Sequence, residues 1–136
     1  MVQIDIVYQG GLRCEAVHGP SGTKLVTDAP VDNQGKGESF SPTDLVATAL
    51  GVCIPTIMGI VAEREQINLA GMRISVQKEM SAEPPRRIAR LAVRIQMPQG
   101  LTEIQKTKLE RAALTCPVHQ TLHGNVEMPI EFVYST

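Results

Sequence analysis

Residues 41–65, SPTDLVATALGVCIPTIMGIVAERE, decide the fold. Ser41 is a helix N-cap residue, Pro42 takes the first helical position, where an N–H would go unused, and Asp44 brings a negative charge into the first turn. A helix is predicted from there to about Glu65. Its middle is apolar on nearly every side, the pattern of a helix buried at the centre of a domain or in a subunit interface. Pro55 removes the hydrogen bond to the carbonyl of Gly51 and is expected to kink the helix two residues beyond Cys53.

Upstream of this helix, residues 2–7 alternate apolar and polar side chains. Residues 12–18 and 23–27 read as further short strands, with Gly10, Gly11 and the GPSG segment as turns. Residues 28–41, DAPVDNQGKGESFS, lack periodicity and are predicted to form a long loop of the kind often used as a lid or binding segment. Downstream, residues 72–82 and 87–97 read as a hairpin packed against the helix, joined through EPPRR. Residues 102–114 read as an amphipathic helix, which Cys116 and Pro117 interrupt before a short second helix ends at Gly124. Residues 126–134 are the last predicted strand. A chain of 136 residues with this order is expected to be a single α+β domain over 1–136 with an aliphatic core.

Composition narrows the function. Thirteen basic against fourteen acidic side chains give a net charge of -1, which offers no basic field for nucleic acid or an anionic membrane. The opening MVQIDIVYQGG has no basic n-region or cleavable apolar stretch. The longest apolar run carries Thr43, Asp44, Thr48 and Pro55, so no membrane association is expected and a cytoplasmic location is. Three cysteines in a reducing compartment point to reactive, ligating or buried thiols rather than a disulfide framework. Four aromatic rings, no Trp and no GxGxxG or P-loop pattern leave little to bind a flat organic cofactor, and none is expected.

The thiols occupy different settings. Cys53 lies inside the apolar helix, whereas Cys116 is followed at once by a helix-starting proline. Burial raises a thiol pKa and a helix N-terminus or nearby cation lowers it, and the thiolate is the nucleophile. Taken alone, Cys53 is more readily a small buried hydrophobe than a reactive thiol. Cys14 alternates with Arg13 and Glu15 in a strand and is assigned to packing. Cys116, His119 and His123 form a CxxHxxxH pattern that could share one helical face and ligate zinc, although such histidines more often sit at the surface or cap helices. His18, near a turn, is uninformative.

SPTDLVATALGVC, followed much later by LTCPVHQTLHGNVEMPIEF, resembles the OsmC/Ohr family of thiol-dependent peroxidases. The resemblance covers most of the chain, from the N-terminal strands and GKGESFSPTDL through the PxxLxxxxxxxC frame to the distant CPV. It implies an α+β OsmC-like fold in which curved antiparallel sheets surround a long buried central helix, in an intertwined homodimer. By the resemblance Cys53 is the peroxidatic cysteine and Cys116 the resolving one. The partners implied are a peroxide substrate and a dithiol reductant: a lipoylated protein, thioredoxin or a small thiol. No metal is implied.

The family stabilises its thiolate with an arginine held by a carboxylate. In the branch with the best-developed site the acid lies ten residues before the cysteine, where this chain has Thr43. Asp44 follows one place later, rotated by about 100° on a helix, and Glu38 precedes the helix, so either is a candidate acid. Arg13 resembles the family arginine in position, and Lys36 is an alternative cation. The departure at Thr43 keeps a rival open, a non-enzymatic stress protein that binds a small hydrophobic ligand at the dimer interface.

Overall fold

The computed structural model describes residues 1–135. The chain falls into two compact units, Met1–Val46 and a second that begins at Ala47. The first holds an antiparallel sheet of β1 (Ile4–Gly10), β2 (Arg13–His18) and β3 (Lys24–Thr27), in that order. Gly10 and Gly11 turn the chain between β1 and β2 at φ of 84° and 62°, values that favour residues without a Cβ. A register shift between Tyr8 and Gly10 then sets Arg13 opposite Gly10. Cys14 pairs with Tyr8 on one side and Thr27 on the other. Ile4, Ile6, Val7 and Tyr8 are all exposed, so both faces of β1 carry exposed apolar side chains.

The expected irregular loop closes on itself. The Asp28 N–H donates to the Phe40 carbonyl at 3.1 Å, and the Pro30 carbonyl accepts from Asn33 and Gly35, each at 2.9 Å, around a short 3-10 turn. A side chain at Gly35 would run into the main chain of Ala29, so this close approach requires glycine.

Helix α1 spans Pro42–Glu65 and starts as its sequence predicts. The Ser41 N–H donates to the Asp44 carboxylate at 2.9 Å and the Asp44 N–H to the Ser41 hydroxyl at 3.1 Å, a reciprocal cap. The helix continues through Pro55. The Thr56 hydroxyl donates to the Val52 carbonyl at 2.7 Å in the turn that the proline loosens. All-round burial is not what the chain shows. Ala47, Leu50, Ile54, Met58 and Ala62 form one buried stripe at spacings of three and four, while Val52 is 56% and Ile60 44% exposed. An 18-residue window of α1 reaches a mean hydropathy of 2.2, enough by length and composition to cross a membrane, a property shared by apolar core helices of soluble proteins.

The second unit is built on β4 (Arg73–Met80), β5 (Ile88–Gln96) and β6 (Ile130–Val133). Period-two alternation buries Leu91, Val93 and Ile95 on one face of β5. β4 and β5 form the predicted hairpin, but β6 runs parallel to β5, with Val93 opposite Ile130 and Ile95 opposite Phe132. The sheet is therefore mixed, which corrects the expectation of antiparallel sheets. Helices α2 (Glu103–Ala113) and α3 (Pro117–Leu122) lie between these strands and provide the crossover that a parallel pair needs. Thr102 and Gln105 close a capping box on α2. Leu50, Ile54 and Met58 of α1, Leu91 and Ile95 of β5, Met97, and Leu109 of α2 are fully buried, and each such side chain contributes about 1.5–3 kcal/mol. α1 approaches β4 closely: a Cβ on Gly51, two residues before Cys53, would come within 2.9 Å of Val76 Cγ2.

Candidate active site

Cys53 is presented by α1 from beside its buried stripe, half-buried and unbridged. Cys116 ends the segment after α2 and caps α3. Its sulfur accepts the His119 N–H at 3.4 Å, because Pro117 at the first helical position leaves the following amides pointing back at the cap. These two elements bring the thiols of Cys53 and Cys116 face to face, within hydrogen-bonding reach. Cys116 has no exposed surface, and its thiol is pushed above the ordinary value of 9.0 by burial first and by the Cys53 thiol opposite it second. The N–H groups of His119 and Val118 pull the other way. Near neutral pH Cys116 is therefore a protonated thiol, able to donate toward the Cys53 sulfur.

The charged candidates separate into two groups, both in the first unit. Arg13 Nη1 bonds Glu38 at 2.9 Å and lies 3.7 Å from Asp28. Asp44 instead takes part in the cap with Ser41, and the Thr43 and Ser41 hydroxyls lie 3.2 Å apart. Lys36 contributes its main-chain N–H to Asp28. Sequence reasoning missed Asp28, which is 1% exposed and also accepts the Glu38 N–H at 3.1 Å. An aspartate at the head of a Gly-rich, turn-forming segment is its only signal, and that signal is shared by many surface turns.

The amide of Glu38 above all, then that of Ala29, the Arg13 guanidinium and the amide of Lys36, hold the Asp28 carboxyl below its usual 3.8 against the opposing effect of burial. With the folded value below the unfolded one, the stabilisation is complete above about pH 4 and is lost as the pH falls through the depressed folded value. Asp28→Asn is expected to lower the melting temperature by several degrees at pH 7 and by less at pH 3, below the unfolded value of 3.8. Thermal unfolding at the two pH values checks it, and an equal gap at both would refute the charge-based account.

The rings of His119 and His123 stack with centroids 6.0 Å apart, and His119 Nδ1 is buried without a hydrogen-bond partner. The zinc pattern does not assemble. Among the described residues no three His, Cys, Asp or Glu side chains converge as a metal site, because Cys116 meets Cys53 and the main chain of His119 rather than the imidazoles.

A family model described as OsmC-like protein matches residues 35–131. The crystal structure of a candidate osmotic stress induced and detoxification response protein from Psychrobacter arcticus 273-4 is 42% identical, with a TM-score of 0.91 over 98% of this chain and 96% of that one. An organic hydroperoxide resistance protein from Legionella pneumophila is 19% identical, with a TM-score of 0.77 over 97% of this chain and 96% of that one. An OsmC-like protein from Mycoplasma pneumoniae is 15% identical, with a TM-score of 0.83 over 100% and 98%. The likeness to the last two is one of fold. No curated protein matches the chain.

Proposed function

Because the chain belongs to the OsmC-like protein family, we propose that it is a thiol-dependent peroxidase that reduces organic hydroperoxides or hydrogen peroxide in defence against oxidative stress. The observation that carries this reading is the facing pair of thiols on α1 and before α3. The Cys53 thiolate attacks the peroxide O–O bond, takes one oxygen as a sulfenic acid and releases an alcohol or water. Cys116 then attacks the Cys53 sulfur, a disulfide forms and water leaves. An external dithiol returns both sulfurs to thiols. The cation favouring the Cys53 thiolate is assigned to Arg13 on the family resemblance alone, with Glu38 as its acid. The organic hydroperoxide resistance proteins among the structural neighbours support the substrate class.

The working form is a homodimer. The exposed Val52 and Ile60 of α1, and separately the exposed β1 side chains, are apolar surface of the kind a second copy covers.

Intact-mass analysis of the reduced protein, before and after one equivalent of cumene hydroperoxide, tests the reading. The expected result is a loss of two hydrogens that maps to a Cys53–Cys116 bridge. An unchanged mass would overturn it in favour of a hydrophobic-ligand binder. Since the resolving thiol is held protonated, conversion of sulfenic acid to disulfide should speed up about tenfold per pH unit between pH 6 and 8. A flat profile, followed by quenched mass analysis, would contradict the role given to Cys116.

A further inference from the structure

The two sulfurs of a Cys53–Cys116 bridge are not equivalent targets for the thiol that must reduce it. We propose that the reductant attacks Cys53 Sγ and that Cys116 is the leaving group, so the mixed disulfide with the reductant is always carried on α1. This deepens the peroxidase reading and rests on its disulfide. Exchange requires the attacking thiolate to approach along the S–S axis, from the side away from the departing sulfur. For attack on Cys116 that side is closed: the residue is 0% exposed, and its sulfur is covered by the first turn of α3, where it accepts the His119 N–H. Cys53 keeps part of its surface open on α1. The path by which a hydroperoxide reaches Cys53 serves the reductant as well.

The step balances. The reductant's thiolate forms a bond to Cys53 Sγ, the Cys53–Cys116 bond breaks, and its electron pair leaves with Cys116 Sγ, which takes a proton from water. The second thiol of a dithiol, as thiolate, then attacks the reductant's sulfur in the mixed disulfide, releases the Cys53 thiolate and closes the oxidised reductant.

Leaving-group chemistry opposes this direction, because burial raises the basicity of the Cys116 sulfur. If a leaving thiol is about as sensitive as an attacking one, with a Brønsted coefficient near 0.5, each pKa unit costs only about threefold in rate. Attack on a fully buried sulfur waits instead on local opening of the core around α3, where a tenth of a percent open population already costs about a thousandfold. Access outweighs basicity, and the His119 and Val118 amides offset part of the latter.

The test uses the wild-type chain oxidised with diamide, which forms the bridge without any peroxide. The protein is treated briefly with 2-mercaptoethanol and quenched in acid before the freed thiol can close the bridge again. Trypsin then places Cys14, Cys53 and Cys116 on separate peptides, residues 14–24, 37–64 and 112–136. The mercaptoethanol adduct is expected on the Cys53 peptide in at least about tenfold excess over the Cys116 peptide. Equal labelling, an excess on Cys116, or a chain in which diamide forms no bridge between them would overturn the proposal. A protein that ignores cumene hydroperoxide yet carries the adduct on Cys53 fails only the peroxidase reading.

Discussion

Cys53→Ser is expected to abolish thiol-dependent hydroperoxide consumption, with turnover falling by at least about a thousandfold. A serine hydroxyl is essentially un-ionised where a thiol can be a thiolate, and oxygen has no stable counterpart of the sulfenic acid. The side chains are close in size and Cys53 is only half-buried, so the variant should fold as the parent does, which circular dichroism checks. Cys116→Ser separates the two roles. It should complete one round of peroxide reduction at the parental rate and then accumulate sulfenic acid, detectable with a dimedone probe. Full multiple-turnover activity in Cys53→Ser would remove the mechanism altogether.

Ile54→Ala is expected to cost about 2–5 kcal/mol in urea unfolding, a large share of the stability of a chain this size. Ile54 is fully buried and sits in the middle of the α1 stripe between Leu50 and Met58. Collapse around the missing methylenes is limited nearby, since α1 and β4 already approach closely at Gly51 and Val76. Because Cys53 is the preceding residue, the same substitution should slow disulfide formation by loosening the segment that aims its sulfur at Cys116. A midpoint within the error of the parent would show that α1 is not anchored by this stripe.

The elements that could be read from the sequence are those with local causes. Ser41, Pro42 and Asp44 announce the start of α1 because capping is a matter of a few adjacent residues. β4 and β5 are legible because their side chains alternate, with one face half-buried in β4 and fully buried along much of β5. What escaped depends on distant partners. The direction of β6 is set by the α2–α3 crossover, and four residues carry no mark of parallel pairing. The one-sided burial of α1 was hidden because its exposed face, with Val52 and Ile60, is as apolar as its buried one. Within the candidate site, both cysteines were singled out from their surroundings and from the family resemblance. Their approach is a tertiary fact, and Asp28 emerged only from the loop that folds around its carboxylate.

Cys53 and Cys116 meet in space although 63 positions separate them in the chain. A bond between them would tie off a long loop and take about 4 kcal/mol of chain entropy from the unfolded state. Oxidation and resistance to heat are then linked quantities: the bridged protein is the harder one to melt. The same free energy lowers the reduction potential of the bridge by about 90 mV. The fold thus sets a floor on how strongly reducing its thiol partner must be, and a stalled supply of reductant would leave the cell with a population of unusually durable, inactive molecules.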